Sequence, residues 1–242
     1  MMRDHGRVLL NYKYCQYLIT IVGPVEGLPQ VLQFIALSSG SACMRKVALA
    51  SLIAISWGIL AGPLSTTAFA ATATFVKRDT ATMGSWIGVY GADGYFVSQD
   101  TNIKVPSYAS VSGSGYANWI WASSTTALPA LQLPEAPSTR IAATWFSASS
   151  FTIDVKLTDG NAHQVSFYAL DWDSTARSQT INVLDVVTGT VLNSQYLPPG
   201  SFHNGEYLVW SVTGSVQFQV VFDHTNWNAV ISGVFFDTPC HH

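Results

Sequence analysis

Alternating hydrophobic and polar residues predict β-strands along most of the chain after residue 84. Between Phe151 and Leu157, apolar residues occupy every second position and polar residues lie between them. This period of two is that of a strand with one buried and one solvated face. The turn-forming segment Thr158–Asn161 follows, and a second alternating run is centred on Val165 and Phe167. We expect the two runs to pair as an antiparallel hairpin, because Gly and Asn suit tight turns.

Similar short runs continue to the end of the chain and are joined by links of turn length. No window shows a helical period with caps, and about ten or eleven short strands of this kind predict an all-β fold, an antiparallel β-sandwich or jelly roll. A closed up-and-down barrel is the alternative, which the long proline-rich segment 123–139 disfavours. The residues expected to form the facing sheets are Phe151, Ile153, Val155, Phe167, Val216, Phe218 and Val220, with Trp145 and Trp210 also in the core.

The segment 44–70 has the pattern of a secretory signal peptide. Met44-Arg45-Lys46 supplies positive charge, residues 47–60 form an uncharged apolar run, and Ala68-Phe69-Ala70 matches a signal-peptidase site. A transmembrane helix is disfavoured because Gly, Pro and Ser-Thr-Thr interrupt the run. We therefore expect a secreted, extracellular protein cleaved after Ala70. Residues 1–43 are then an N-terminal extension that is either wrongly assigned to the protein or disordered. Residues 71–83 are a short leader, and residues 84–242 form a single domain.

The charge and the cysteine content limit the classes of partner and the origin that the sequence favours. The chain from 71 to 242 carries twelve acidic and six basic residues, a formal charge of −6 that argues against nucleic acid as a partner. Cys240 is the one cysteine after the cleavage site, so this part cannot form an internal disulfide, and the role of Cys240 stays open. An exported domain held together by its core alone favours a bacterial origin.

Aromatic residues near turns are the main candidates for ligand contact. Sugar rings present an apolar C–H face that packs on indole and phenol rings. The candidates of this kind are Trp86, Tyr90, Tyr95, Trp119 and Trp172. Strict alternation would also bury Asp171 and Asp173, which is costly for unpaired carboxylates. The strand therefore ends near Leu170, contains a bulge, or is compensated by Arg177 or a cation, and a solvent-exposed strand exit is favoured.

Several segments resemble galactose-binding-like β-sandwich modules, namely GSWIGVYGADGYFV, RIAATWFS, SFTIDVKLTDGNAHQVSFYALDWD, EYLVWSVTGSVQFQV and NAVISGVFFD. The resemblance spans residues 84 to 237 and is to the malectin-like and NPCBM-like carbohydrate-binding modules of secreted bacterial proteins. It implies sugar binding through loops at one end of the sandwich, often without catalysis.

The predicted function is non-catalytic binding of carbohydrate, such as a cell-surface polysaccharide. The predicted site combines two turn regions at one rim of the sandwich and is made of Tyr90, Asp93, Tyr95, Trp119, Trp172 and Asp173. No hydrolase or metalloprotease motif occurs, so glycoside hydrolysis is a minor alternative. No cofactor is predicted, although two carboxylates two residues apart would suit structural calcium. The alternative function is a structural or adhesive surface module that contacts other proteins.

Overall fold

The computed structural model describes residues 7–12, 15–20, 70–223 and 227–239. The chain divides into two compact units, Met1–Ser65 and Thr66–His242. In the first, β1 (Arg7–Tyr12) and β2 (Cys15–Thr20) pair antiparallel. The predicted signal peptide, apart from Ala70, and Cys240 lie outside the described residues. Within the described ranges, no helix is long and apolar enough to cross a membrane.

The second unit is an antiparallel β-sandwich, as the alternation predicted. Its strands are β3 (Thr72–Asp79), β4 (Gly94–Val97), β5 (Ala109–Ser114), β6 (Ala117–Thr125), β7 (Leu131–Leu133), β8 (Ala136–Ser147), β9 (Ser150–Leu157), β10 (His163–Ala169), β11 (Gln179–Asp185), β12 (Val191–Leu197), β13 (Glu206–Thr213), β14 (Ser215–Phe222), β15 (Ala229–Ile231) and β16 (Gly233–Asp237). Two sheets have five strands each, in the orders β3-β13-β10-β16-β4 and β12-β11-β14-β9-β5. A third sheet has the order β15-β8-β6, with β7 also paired to β8.

The first core cluster fills the space between the two five-stranded sheets. Phe167 of β10 and Trp210 of β13 face Phe218 of β14, with ring centroids 4.2 and 5.3 Å from that of Phe218. All seven residues predicted for the facing sheets are buried in this cluster. Trp210 is fully buried, and Trp145 is half-buried against the same cluster, so their placement in the core is also confirmed.

A second core cluster covers the opposite face of the sheet that contains β10 and β13. Tyr168, Tyr207 and Phe235 project from this face and pack against β7, β8 and the segment around Trp86. Because β10 and β13 are covered on both faces, most of their residues are buried and burial does not alternate along them. The predicted alternation is accordingly clearer in β9 and β14, which have one buried face.

The predicted hairpin between β9 and β10 is wrong. β9 pairs with β14 and β5, whereas β10 pairs with β13 and β16 in the facing sheet. The turn Thr158–Asn161 therefore carries the chain across the core from one sheet to the other, with Gly160 at a φ of 75°. Alternation identifies the inward face of each strand, but it does not distinguish a neighbour in the same sheet from one across the core. β11 and β12, by contrast, are consecutive strands that do pair with each other in one sheet.

The sheets also begin earlier than predicted. The segment 71–83, expected to be a short leader, contains β3, which pairs with β13 along the edge of its sheet. Ala71 and Ala73 are buried, so small side chains here are part of the core. At the other end of the domain, β15 and β16 belong to different sheets, and Ser232 separates them.

Candidate functional site

Two of the predicted binding residues, Tyr90 and Tyr95, lie together beside Trp86 in the second core cluster. The ring of Tyr90 is stacked on that of Tyr207 with centroids 4.3 Å apart, and its hydroxyl donates to Asp79 Oδ2 at 2.7 Å. Burial and this hydrogen bond raise the pKa of Tyr90. Tyr90 is therefore a buried structural residue with little surface left for a ligand.

Tyr95 and Asp93 are also engaged in contacts within the protein. The ring of Tyr95 lies 4.8 Å from that of Trp86, centroid to centroid, and its hydroxyl donates to Asn102. Asp93 Oδ2 accepts a hydrogen bond of 2.8 Å from the Tyr108 hydroxyl. A cavity of about 320 Å³ opens at this end, but the indole of Trp86 that lines it is almost wholly buried.

The other predicted residues lie at a different place, where Trp119 and Asp173 share one groove. We name it the tryptophan groove; its volume is about 360 Å³. The residues lining it are Trp119, Trp121, Thr144, Phe146, Asp173, Arg177, Trp227 and Asn228. Trp172 is half-buried against the second core cluster and does not line the groove. The structure thus separates the predicted rim into two places, with Trp119 and Asp173 in one and Tyr90 and Tyr95 in the other.

Strand register places the aromatic wall of the groove. Trp119 on β6 lies directly opposite Thr144 on β8, and Ala117 lies opposite Phe146. Side chains at these positions share one face of the sheet, because alternate residues of a strand point the same way. The register shifts between Ile120 and Ala122, so the β6–β8 ladder is irregular where the groove meets Trp121.

Two of the three groove tryptophans present large surfaces to solvent. Trp119 is 55% exposed and Trp227 is 40% exposed, whereas Trp121 is half-buried. Exposed indoles in a concave surface are typical of ligand sites. Trp121 was overlooked as a candidate, although the alternation in β6 places it on the same face as Trp119. Trp227 was overlooked too; its position between two asparagines was the available signal.

Arg177 is the residue that holds the polar side of the groove together. Its Nη1 group donates to both Asp171 and Asp173, and its Nε donates to Asn228 Oδ1 at 2.9 Å. The guanidinium carbon also lies 5.0 Å from the ring centroid of Trp227, within cation–π distance. One buried cation therefore positions two carboxylates, an amide and an indole.

The arrangement around Arg177 decides between the alternatives for the acidic pair. β10 ends at Ala169, and the Asp171 side chain is only 1% exposed while that of Asp173 is 45% exposed. The favoured solvent-exposed exit is thus correct for Asp173 and wrong for Asp171. Burial of Asp171 is possible because Arg177, itself 4% exposed in its side chain, supplies the opposite charge. No group of three or more His, Cys, Asp or Glu side chains placed to hold a metal occurs in the described part of the chain.

Neighbouring segments fix the loop that carries these residues. The Asp171 amide donates to Phe202 O at 3.0 Å. The Nδ1 atom of His203 lies within 2.8 Å of the carbonyl oxygens of both Asp171 and Ser174, so Nδ1 carries the proton. On the other side, the Gln179 side chain exchanges two hydrogen bonds with the backbone of Val230. These contacts connect the polar wall of the groove to neighbouring segments of the fold, the kind of support that a binding site requires.

No protein-family model matches the chain, and no curated protein matches it significantly. Several solved structures are similar at low identity. The carbohydrate-binding module TmCBM61, in complex with β-1,4-galactotriose, is 14% identical, with 55% of this chain and 90% of the module covered and a TM-score of 0.31. The module CsCBM6-3 from Clostridium stercorarium, in complex with cellobiose, is 16% identical, with 63% and 98% covered and a TM-score of 0.32.

An enzyme is among the similar structures as well. The exo-β-1,3-galactanase from Phanerochaete chrysosporium, in complex with β-1,3-galactotriose, is 16% identical, with 59% of this chain and 32% of the enzyme covered and a TM-score of 0.31. Carbohydrate-binding β-sandwiches, the class that the sequence resembles, are thus represented among these structures. At such TM-scores the likeness establishes neither a family nor a ligand for this chain.

Proposed function

We propose that this protein is a secreted, non-catalytic carbohydrate-binding β-sandwich and that the tryptophan groove is its binding site. The observation that carries the proposal is the pair of exposed indoles, Trp119 and Trp227, beside a fixed set of polar groups in one concave surface. The apolar faces of sugar rings pack on such indoles, while hydroxyls require hydrogen-bonding partners at the edge.

The polar residues of the groove have different roles in this proposal. Asp173 is half-exposed and accepts hydrogen bonds from sugar hydroxyls. Asn228 has its carbonyl oxygen committed to Arg177, so its amide NH₂ group is the end that donates to a ligand oxygen. Arg177 is a positioning residue that holds both in place. Stacking supplies most of the contact area, and the two polar side chains orient the sugar.

Two observations support a binding role without catalysis. A glycosidase requires two carboxyl groups on opposite sides of the scissile bond, one of them protonated to act as an acid. Asp171 and Asp173 instead bind the same guanidinium, and Asp171 is buried away from the groove surface.

Secretion is part of the proposal, with cleavage after Ala70. β3 begins at Thr72, so removal of residues 1–70 would leave every strand of the sandwich intact. N-terminal sequencing of the protein recovered from the culture medium tests this. A secreted product that begins upstream of Met44 would contradict both the cleavage site and the interpretation of residues 1–43 as a wrongly assigned extension.

Affinity gel electrophoresis on a panel of soluble neutral polysaccharides tests the binding site. We expect retention by at least one of them and loss of at least about tenfold in affinity for Trp119→Ala and Trp227→Ala, since a stacked aromatic ring contributes one to a few kcal/mol. Tyr196→Ala is the matched control, because Tyr196 is also an exposed aromatic residue but lies on β12. Unchanged retention in both tryptophan variants would exclude the groove as the site.

A structural or adhesive role is the second candidate, and one surface favours it. Val186, Val187 and Val191 are exposed around the turn between β11 and β12. Exposed apolar residues that cluster at a hairpin tip are typical of protein-contact surfaces. Retention on no glycan, together with concentration-dependent self-association that Val187→Asp abolishes, would favour this function over sugar binding.

A further inference from the structure

Asp173 and Arg177 in the lining of the tryptophan groove, together with the buried Asp171 that contacts Arg177, carry one net negative formal charge. Asp171 and Asp173 share the single guanidinium of Arg177, which gives two carboxylates for one cation. Arg177 is the one basic residue among those that line the groove within the described residues. A further carboxylate, Asp223, lies on the neighbouring segment, where its backbone amide approaches Ser178 O at 3.4 Å.

The positive charge of Arg177 is already used by the protein. Nη1 donates to the two carboxylates, Nε donates to Asn228, and the guanidinium carbon lies 5.6 and 5.0 Å from the ring centroids of Trp121 and Trp227. A ligand anion at this cation would lie beside Asp171 and Asp173, which already compensate its charge.

We infer that the groove selects neutral glycan chains and rejects acidic ones, those bearing uronate or sulfate groups, and that Asp173 is the residue that determines this specificity. The inference rests on the proposed function of the groove. Two like charges about 5 Å apart weaken binding about fourfold even at the dielectric constant of water, and more in a partly enclosed groove. A neutral hydroxyl donates a hydrogen bond to Asp173 instead, so the same carboxylate favours one class of chain and opposes the other.

The test compares matched polymers in affinity gel electrophoresis of the secreted protein. Neutral β-glucan, β-galactan and xylan are each compared with their carboxymethylated derivatives, and their hydroxyethylated derivatives control for added bulk. We expect the wild-type protein to bind the hydroxyethylated form of its ligand at least about fourfold more tightly than the carboxymethylated form. This ratio decreases at about 1 M NaCl, because salt screens charge repulsion at this distance.

Two variants assign the effect to the groove. Asp173→Asn keeps an oxygen that accepts from Arg177 but removes one negative charge, so that Asp171 and Arg177 then balance each other. We therefore expect the ratio of the affinities for the hydroxyethylated and carboxymethylated polymers to fall towards one. Asp154→Asn removes the same charge from β9, where Asp154 accepts from Gln217, and leaves the ratio unchanged. Circular dichroism confirms that each variant is folded.

The outcomes separate this inference from the proposed function. Equal or tighter binding of carboxymethylated polymers, or an unaltered ratio in Asp173→Asn, overturns the inference while sugar binding stands. A folded wild-type protein that no neutral polymer retains refutes the proposed function, and the selectivity with it.

Discussion

Replacing Arg177 with methionine removes the cation that compensates Asp171 inside the fold. Methionine fills much of the same volume, so the main change is the loss of charge and hydrogen bonds rather than a cavity. The variant leaves a carboxylate whose side chain is almost wholly buried without its partner, while Asp173 returns to solvent. These two losses differ greatly in magnitude and can be estimated separately.

The buried pair dominates the expected cost. Removing one partner of a buried ion pair costs about 3–5 kcal/mol, because the remaining charge is uncompensated. The contact with half-exposed Asp173 adds at most about 1 kcal/mol, as for other solvent-screened pairs. The Nε bond to Asn228 adds about 1 kcal/mol more. We therefore expect Arg177→Met to lower the free energy of unfolding by about 4–7 kcal/mol, a large part of the stability of a typical domain.

Equilibrium urea denaturation, followed by tryptophan fluorescence, measures this loss through the transition midpoint and its slope. The double variant Arg177→Met/Asp171→Asn is the informative control. Asparagine retains the acceptor for the backbone amide of residue 177, which donates to Asp171 Oδ2 at 3.2 Å, but carries no charge. We expect it to recover at least about 2 kcal/mol of the loss, since an unpaired amide is cheaper to bury than an unpaired carboxylate. A loss under about 1 kcal/mol in the single variant, or no recovery in the double variant, would refute the argument that Arg177 compensates a buried charge.

Three further predictions test the core, a turn and a buried acid. Phe167→Ala should cost about 3–5 kcal/mol in urea denaturation, and a loss under about 1 kcal/mol would mean that its side chain does not face the core. Gly205→Ala should lower the free energy of unfolding by more than about 2 kcal/mol, because φ is 85° and the new Cβ would lie 1.6 Å from the Tyr168 hydroxyl oxygen. Gly189→Ala is the control and should cost about 1 kcal/mol, because Gly189 has a φ of 69° but open space around the new Cβ. Equal losses in the two variants would contradict this packing. Burial raises the pKa of Glu206, and its contact with Arg78 offsets this only in part. Because this pKa is raised, Glu206 stabilises the folded state below its usual pKa of 4.5, and this stabilisation is lost as the pH rises. Glu206→Gln should therefore stabilise the protein at pH 7 and not at pH 4. Equal urea midpoints for the variant and the wild type at pH 7 would exclude this.

The candidate site was only partly predictable, and the reasons are physical. Trp119 and Asp173 were chosen because aromatic and acidic residues near strand ends are typical of binding loops, and the structure brings them together in the groove. Tyr90 was chosen on the same grounds and is buried. Its stacking on Tyr207 joins segments more than a hundred residues apart, and no local pattern reveals such a contact.

Arg177 shows the same division between local and long-range information. The sequence alone indicated that Asp171 and Asp173 would lie where an unpaired charge is costly, because strict alternation placed both on the inward face. Arg177 was one of several groups or changes of backbone that could avoid this cost. The choice among them depended on where the loop after β10 folds back, which the contacts with Phe202 and His203 determine. The sequence pattern therefore indicated that a buried carboxylate needs a compensating charge, and the tertiary contacts identified Arg177 as the residue that supplies it.

The sequence by itself determined the strand periodicity, the inward faces and the antiparallel sandwich, because each of these follows from the two-residue repeat of a strand and the cost of exposing large apolar side chains. Only the tertiary structure decided which strands pair. β9 and β10 have inward faces that pack equally well as neighbours in one sheet or across the core, and the partners β14 and β13 resolve the choice. Hydrophobic burial is non-directional and marks which residues are inside, whereas strand pairing depends on hydrogen bonds between segments that are distant in the chain. The tryptophan groove arises from that pairing, since β6 and β8 bring Trp119 opposite Thr144 only in this register.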